Sequence, residues 1–183
     1  MSLQLETSIL GAFCAFARSG ATIDAITVAV DAFPDVTPLT NWDDLGCVPE
    51  MVHEVEADDN SIICPVPSGG YTKETEMNVI SDSYLLTLSK TNPLVWELDQ
   101  GFSAAIADGT AQTPFLAKDR FVQGWLKIQQ RGKDGADRII ANVWGKMRLA
   151  EPMKTSKDPS RPSVRFHVEY SAIATSLPAG IVA

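Results

Sequence analysis

Histidine is almost missing from this 183-residue chain: only His53 and His167 are present, and neither forms a metal motif with a nearby Cys or His. Cysteine is also scarce. Cys14, Cys47 and Cys64 are odd in number, widely spaced and set among apolar or strand-like neighbours, which excludes a disulfide scaffold and predicts buried, reduced thiols and a reducing compartment. No apolar run approaches bilayer length, so no membrane span is expected. The apolar stretch Ile9 to Ala17 has no Lys or Arg ahead of it and Glu6 just upstream, which argues against an export leader.

The usual signatures of chemistry are missing too. Asp58, Asp59 and Asn60 resemble a fragment of a calcium loop without the remaining ligand spacing. Ser68-Gly69-Gly70 lacks the flanking residues of a nucleophile elbow or a phosphate loop and reads as a turn. The sequence therefore points to no catalytic residue, no cofactor and no metal, and the expectation is a protein that is not an enzyme.

What is present is β-pattern. In NWDDLG, Asp43, Asp44 and Gly46 make a tight polar turn that frees Trp42 and Leu45 to pack beneath it, with a strand leaving near Cys47. Met51 to Val55 alternates only partly and predicts a half-buried strand, acidic on its wet side. Pro65, Pro67 and the SGGY turn make Ala57 to Tyr71 a long excursion or open hairpin. From Thr72 to Lys90 there is no Gly or Pro. This is the longest predicted strand, with Tyr84, Leu86 and Leu88 on one face and Ser83, Leu85, Thr87 and Ser89 on the other. Asn92 as N-cap, Pro93 at the first helical position and Gly101 as the stop define a short helix whose Leu94, Val95 and Leu98 plug the sheet.

In the second half, Phe121 to Gln130 and Arg138 to Leu149 flank RGKDGAD and predict a hairpin. Trp125 and Trp144 are placed to pair across it. Together with Trp42 and Trp96 they are the expected core anchors. Glu151 to Pro162, polar with three prolines, reads as a surface loop. The last strand puts Val164, Phe166, Val168 and Tyr170 on one side, and Arg165, His167, Glu169 and Ser171 on the other. Thr22 to Phe33 reads as a strand, Leu3 to Phe16 as a short helix or interacting arm, and Ala179 to Ala183 as a tail that docks or frays. The class is mainly β: a single domain over 1–183, an antiparallel sandwich or barrel with one short flanking helix.

Charge is segregated along the chain. Residues 1–115 hold 17 acidic and 3 basic side chains, and residues 116–183 hold 6 and 12, so the net −8 divides into −14 and +6. Acidic and basic surfaces on one subunit suit head-to-tail contacts between copies. A pI near 4.7 speaks against phosphate-neutralising nucleic-acid binding.

The order WDDLG, acidic strand, GGY turn, long polar strand, NPLVWELDQG and later hairpin, over roughly Asn41 to Tyr170, resembles the tail tube proteins of long-tailed, non-contractile bacteriophages and prophages. The resemblance implies a β-sandwich or barrel that forms hexameric rings stacked into a tube. It also implies contacts with a tape-measure protein and tail-end proteins, no membrane partner, and assembly in the host cytoplasm into the virion tail. DNA would pass through the lumen without specific binding. A conduit should repel phosphate, which makes Glu54, Glu56, Glu74, Glu76 and Asp82 the candidate lumen residues. The N-terminal segment and loops 57–71 and 151–162 are the candidate joints between subunits. Other readings are a terminator or baseplate β-domain, a glycan-binding sandwich stacking sugars on Trp125, Trp144 or Tyr71, and a small hydrolase with an acidic pair across a β cleft.

Overall fold

Val48 ends one strand and Glu50 begins the next, with only Pro49 between them, yet the two strands lie at opposite ends of one sheet. A computed structural model of the chain describes residues 12–34, 41–65, 71–100, 120–131, 137–153 and 161–176. The elements are β1 (Ala12–Arg18), β2 (Thr22–Ile23), β3 (Ile26–Thr27), β4 (Asp43–Val48), β5 (Glu50–Pro65), β6 (Tyr71–Thr87), α1 (Pro93–Gln100), β7 (Val122–Arg131), β8 (Asp137–Leu149), β9 (Ser163–Val168) and β10 (Thr175–Ser176). The main sheet runs β4-β1-β7-β8-β9-β6-β5, with β10 added to β8, and β2-β3 form a separate ribbon. All pairings are antiparallel. Because one proline cannot cross a flat seven-strand sheet, the sheet is rolled so that its edges meet at Pro49. The amide of Ser89 donates to the Cys47 carbonyl (3.2 Å) and the Asn92 side-chain amide to the Asp44 carbonyl (3.2 Å), stitching the seam beside β4.

The rolled sheet gives each strand an inner and an outer face. Cys14, Phe16, Leu126, Ile128, Met147, Val164, Phe166 and Leu86 fill the inside, and Leu94, Val95 and Leu98 of α1 close over them. Phe16 and Phe166, three strands apart in the sheet, meet edge to face with centroids 6.3 Å apart, as an enclosed core requires. The helix starts as its sequence dictates: Asn92 Oδ1 accepts from the Val95 amide at 2.8 Å.

One end of the outer face carries a second buried apolar cluster. There Ala15, Ala17, Trp125 and Trp144 are covered by Ile23, Val28 and Trp42. Trp125 and Trp144 are direct cross-strand partners with centroids 5.6 Å apart, and Phe33 joins Trp125 to Trp42. The Trp125 indole donates to the Ala29 carbonyl (2.7 Å), pinning the small ribbon in place.

Several expectations need correcting. Of the two readings of Ala57 to Tyr71, the excursion fails and the hairpin holds, more closely paired than expected: β5 and β6 stay paired through Pro65↔Tyr71, leaving only 66–70 outside the described residues. Pro65 is tolerated because β5 is an edge strand, where a missing N–H breaks no inner ladder. Thr22 to Phe33 is not one strand but the ribbon β2-β3, turned by Asp24 and Ala25 at φ of 47° and 65°. The segment from Ala12 is strand, not helix, and it lies centrally enough to be buried on both faces. β4 already begins at Asp43. Leu45 is the extra residue of a bulge between Cys14↔Gly46 and Ala15↔Asp44, and Asp44 Oδ1 accepts from the Gly46 amide at 2.6 Å. Trp96 is 45 % exposed on the outer side of α1 and anchors no core, unlike Trp42, Trp125 and Trp144. Cys14 is buried, but Cys47 is exposed. The segments 1–11, 154–160 and 177–183 lie outside the described residues, and so do Gly101 and most of the predicted 151–162 loop.

Candidate assembly surfaces

The long hairpin outruns the sheet that supports it. β6 pairs with β9 only over Ser83 to Thr87, whereas it pairs with β5 from Tyr71 onward. Among the described residues, its 12 positions from Tyr71 to Asp82 therefore have strand partners on one side only, a ribbon of about 40 Å at the usual rise per residue. A two-stranded ribbon is marginally stable in water on its own. A bulge lies at its root, where Glu56↔Ser81 is followed by Ala57↔Val79 with Ile80 as the extra residue, and a bulge of this kind bends the strand that carries it. Val79 and Ile80 at this bend are 61 % and 64 % exposed, and Val55 beside them is 51 % exposed.

Next to the arm, the outer face of the sheet is polar. Register sets Lys146 opposite His167 and Arg148 opposite Arg165, so two successive cross-strand pairs bring basic groups together. The Cβ atoms of directly opposite residues lie within about 5.5 Å, where the like charges of Arg148 and Arg165 repel. Neighbouring carboxylates offset part of this. Arg165 pairs with Glu54 and reaches Ser83 Oγ (3.3 Å), while Lys146 pairs with Glu169 Oε1 (2.6 Å). The Lys146 ammonium, and with it a hydrogen bond from Gln123, holds the Glu169 carboxyl below its usual range against the opposing effect of burial. Arg148 is exposed and makes no ion pair with any described residue. Burial, then Arg148 and Arg165, hold the His167 imidazole below its ordinary value, so it is neutral at pH 7.

Tyr84, Val143 and Val168 of the inner face line a depression of about 230 Å³ at the end from which the arm leaves, rimmed by Asp82, Glu169, Tyr170 and Ser171. His53 stacks on Tyr84 (4.4 Å, 7° between planes) and meets Asp82 Oδ1 at 2.7 Å. Burial and then Asp82 push the Tyr84 phenol upward, which keeps it neutral. At the opposite edge Arg18 joins β1, β4 and α1, bonding Asp43 and the buried Glu97, each at 2.5 Å. Burial opposes its charge, but the two carboxylates outweigh that and hold the guanidinium above its ordinary value.

The five acidic candidates do not share a surface. Glu54 and Glu56 stand on the outer face, the first tied to Arg165 and the second within 3.3 Å of Ser81 Oγ. Asp82 pairs in register with Val55 and so belongs to the inner face, at the root of the arm. Glu74 and Glu76 occupy arm positions opposite Ile62 and Asn60. Sequence reasoning missed the basic strip, since alternation in VWGKMRL and VRFHVEY gives each strand's polar face but not the register that puts those faces side by side.

For chemistry the arrangement offers little. No three His, Cys, Asp or Glu side chains gather as a metal site among the described residues. The two histidines stand on opposite faces, His53 at the arm root and His167 in the basic strip. Trp125 and Trp144 are 0 % and 4 % exposed, so neither presents a ring to a sugar, and that basis for glycan binding fails. Burial, and secondarily Cys47, push the Cys14 thiol up to about 12, which makes it inert. No protein-family model matches the chain, and no curated protein is significantly similar to it.

Proposed function

We propose that this chain is a structural subunit that self-assembles into hexameric rings, stacked as the tail tube of a long-tailed bacteriophage, through which DNA is delivered. The observation that carries the reading is the hairpin of β5 and β6, whose outer part has no sheet to rest on among the described residues and whose root exposes Val55, Val79 and Ile80. Such a ribbon gains its missing contacts from a neighbouring subunit. The element order resembling tail tube proteins and the mainly β architecture with one short helix support the same reading. Under it DNA slides past without specific binding, as the net charge of −8 favours. Tape-measure and tail-end proteins would be the other partners.

Negative-stain electron microscopy and light scattering across concentration and salt test the proposal. Rings that stack into hollow tubes are the expected outcome. Closed rings that never stack would assign the chain to a tail terminator or baseplate instead, and a monomer under every condition would remove the basis for a self-assembling subunit.

A further inference from the structure

We infer that the strip formed by Lys146, Arg148, Arg165 and His167 receives the acidic hairpin arm of a second copy of this chain. The inference rests on the self-assembly reading and adds the pair of surfaces that meet. Two independent features point to it. First, the strip sets two guanidinium groups directly opposite one another at Arg148↔Arg165, beside Lys146 opposite the neutral His167, and the like-charged pair is unfavourable in an isolated subunit. It leaves Arg148 exposed and without an ion pair among the described residues, so the strip keeps a positive charge that no described carboxylate pairs with, within an acidic protein.

Second, the arm carries the opposite sign. Between Ala57 and Val79 it contains Asp58, Asp59, Glu74 and Glu76 against the single cation Lys73. The strip's own carboxylate partners are Glu54 and Glu169, neither of which belongs to the arm segment from Ala57 to Val79. An arm that leaves one subunit and docks on the strip of the next makes a head-to-tail contact, the kind that closes rings or extends filaments. Like any contact between exposed charges, it weakens when added salt shortens the screening length to about 8 Å or less.

The test is self-association of the full-length chain at low salt, followed by sedimentation velocity, for wild type, Arg148→Glu, Glu76→Lys and the double variant. Arg148 is exposed and makes no ion pair with any described residue, so its reversal should leave the fold intact, which circular dichroism checks. Each single reversal should weaken association about tenfold or more, and the double variant should recover most of the loss. If the wild type associates and Arg148→Glu associates equally well with unchanged salt dependence, the strip is not the receptor, while the self-assembly reading stands. Both single reversals weakening association without recovery in the double variant would also overturn the pairing. A wild type that stays monomeric at every concentration and salt overturns both.

Discussion

Gly124 and Gly145 face each other across β7 and β8, and neither has room for a side chain. A Cβ on Gly145 would stand 1.9 Å from the His167 carbonyl oxygen and 2.9 Å from the Phe166 ring. One on Gly124 would stand 2.0 Å from the Ala17 carbonyl oxygen and 2.9 Å from the Phe16 ring. Two flanking strands thus lean onto the glycine pair, and the same two phenylalanines meet inside the core. This is how the sheet bends tightly enough to bring its edges together at Pro49.

Gly145→Ala should therefore be strongly destabilising, since the obstacle is backbone and not a movable side-chain tip. A loss of about 3 kcal/mol in urea denaturation is expected. Gly20→Ala is the control: open space surrounds that position, and only its φ of 80° opposes the new side chain, a cost of about 1 kcal/mol. Equal effects of the two changes would refute the account of the bend.

The tryptophans should separate by quenching. Trp96, 45 % exposed, is the one accessible to iodide, so Trp96→Phe should remove most of the quenchable fluorescence and change stability by no more than about 0.5 kcal/mol. Trp125→Ala, at the centre of the aromatic chain, should cost about 4 kcal/mol.

Removing Arg18 should loosen α1 more than removing either of its carboxylates. Arg18→Met strands the buried Glu97 without a partner, a loss of about 3 kcal/mol, and the protection of the α1 amides in hydrogen exchange should fall with it. Asp43→Asn leaves the Arg18–Glu97 bond in place and should cost less.

Acid should destabilise the outer strip through two groups whose pKa values are shifted in the same direction. Glu169 and His167 both titrate lower in the folded chain than in the unfolded one. Each contribution is complete above the group's unfolded value and is lost as pH falls through the folded one. For His167 the loss begins as pH drops below its ordinary value near 6.5, and for Glu169 below the usual carboxylate range. Arg148→Met should raise the His167 pKa in an NMR titration. An unchanged value would show that the arginine does not act on it.

Legibility in the sequence followed the local signals. Asn92-Pro93 marks the helix, RGKDGAD the hairpin, and strict alternation the strand at Val164 to Val168, because caps, turns and period-two patterns act within a few residues. Where the structure departs from expectation, tertiary context decides. AFCAFA is apolar on both sides because β1 is buried on both faces, and a continuous apolar run does not distinguish strand from helix. Pro65 suggests irregular chain where an edge strand accepts a proline. The turn at Asp24-Ala25 lacks glycine and gives no warning. The basic strip depends on register between strands 17 residues apart, from Arg148 to Arg165, which no local pattern encodes.

The seam beside Pro49 has a consequence for growth. With the Cys47 and Asp44 carbonyls already taken by Ser89 and Asn92, β4 offers an incoming strand few acceptors, whereas β5 keeps its outer edge open along its length among the described residues. The sheet is thereby polarised. Strand addition is disfavoured at β4 relative to β5, and edge-to-edge growth, which needs both edges, is discouraged accordingly.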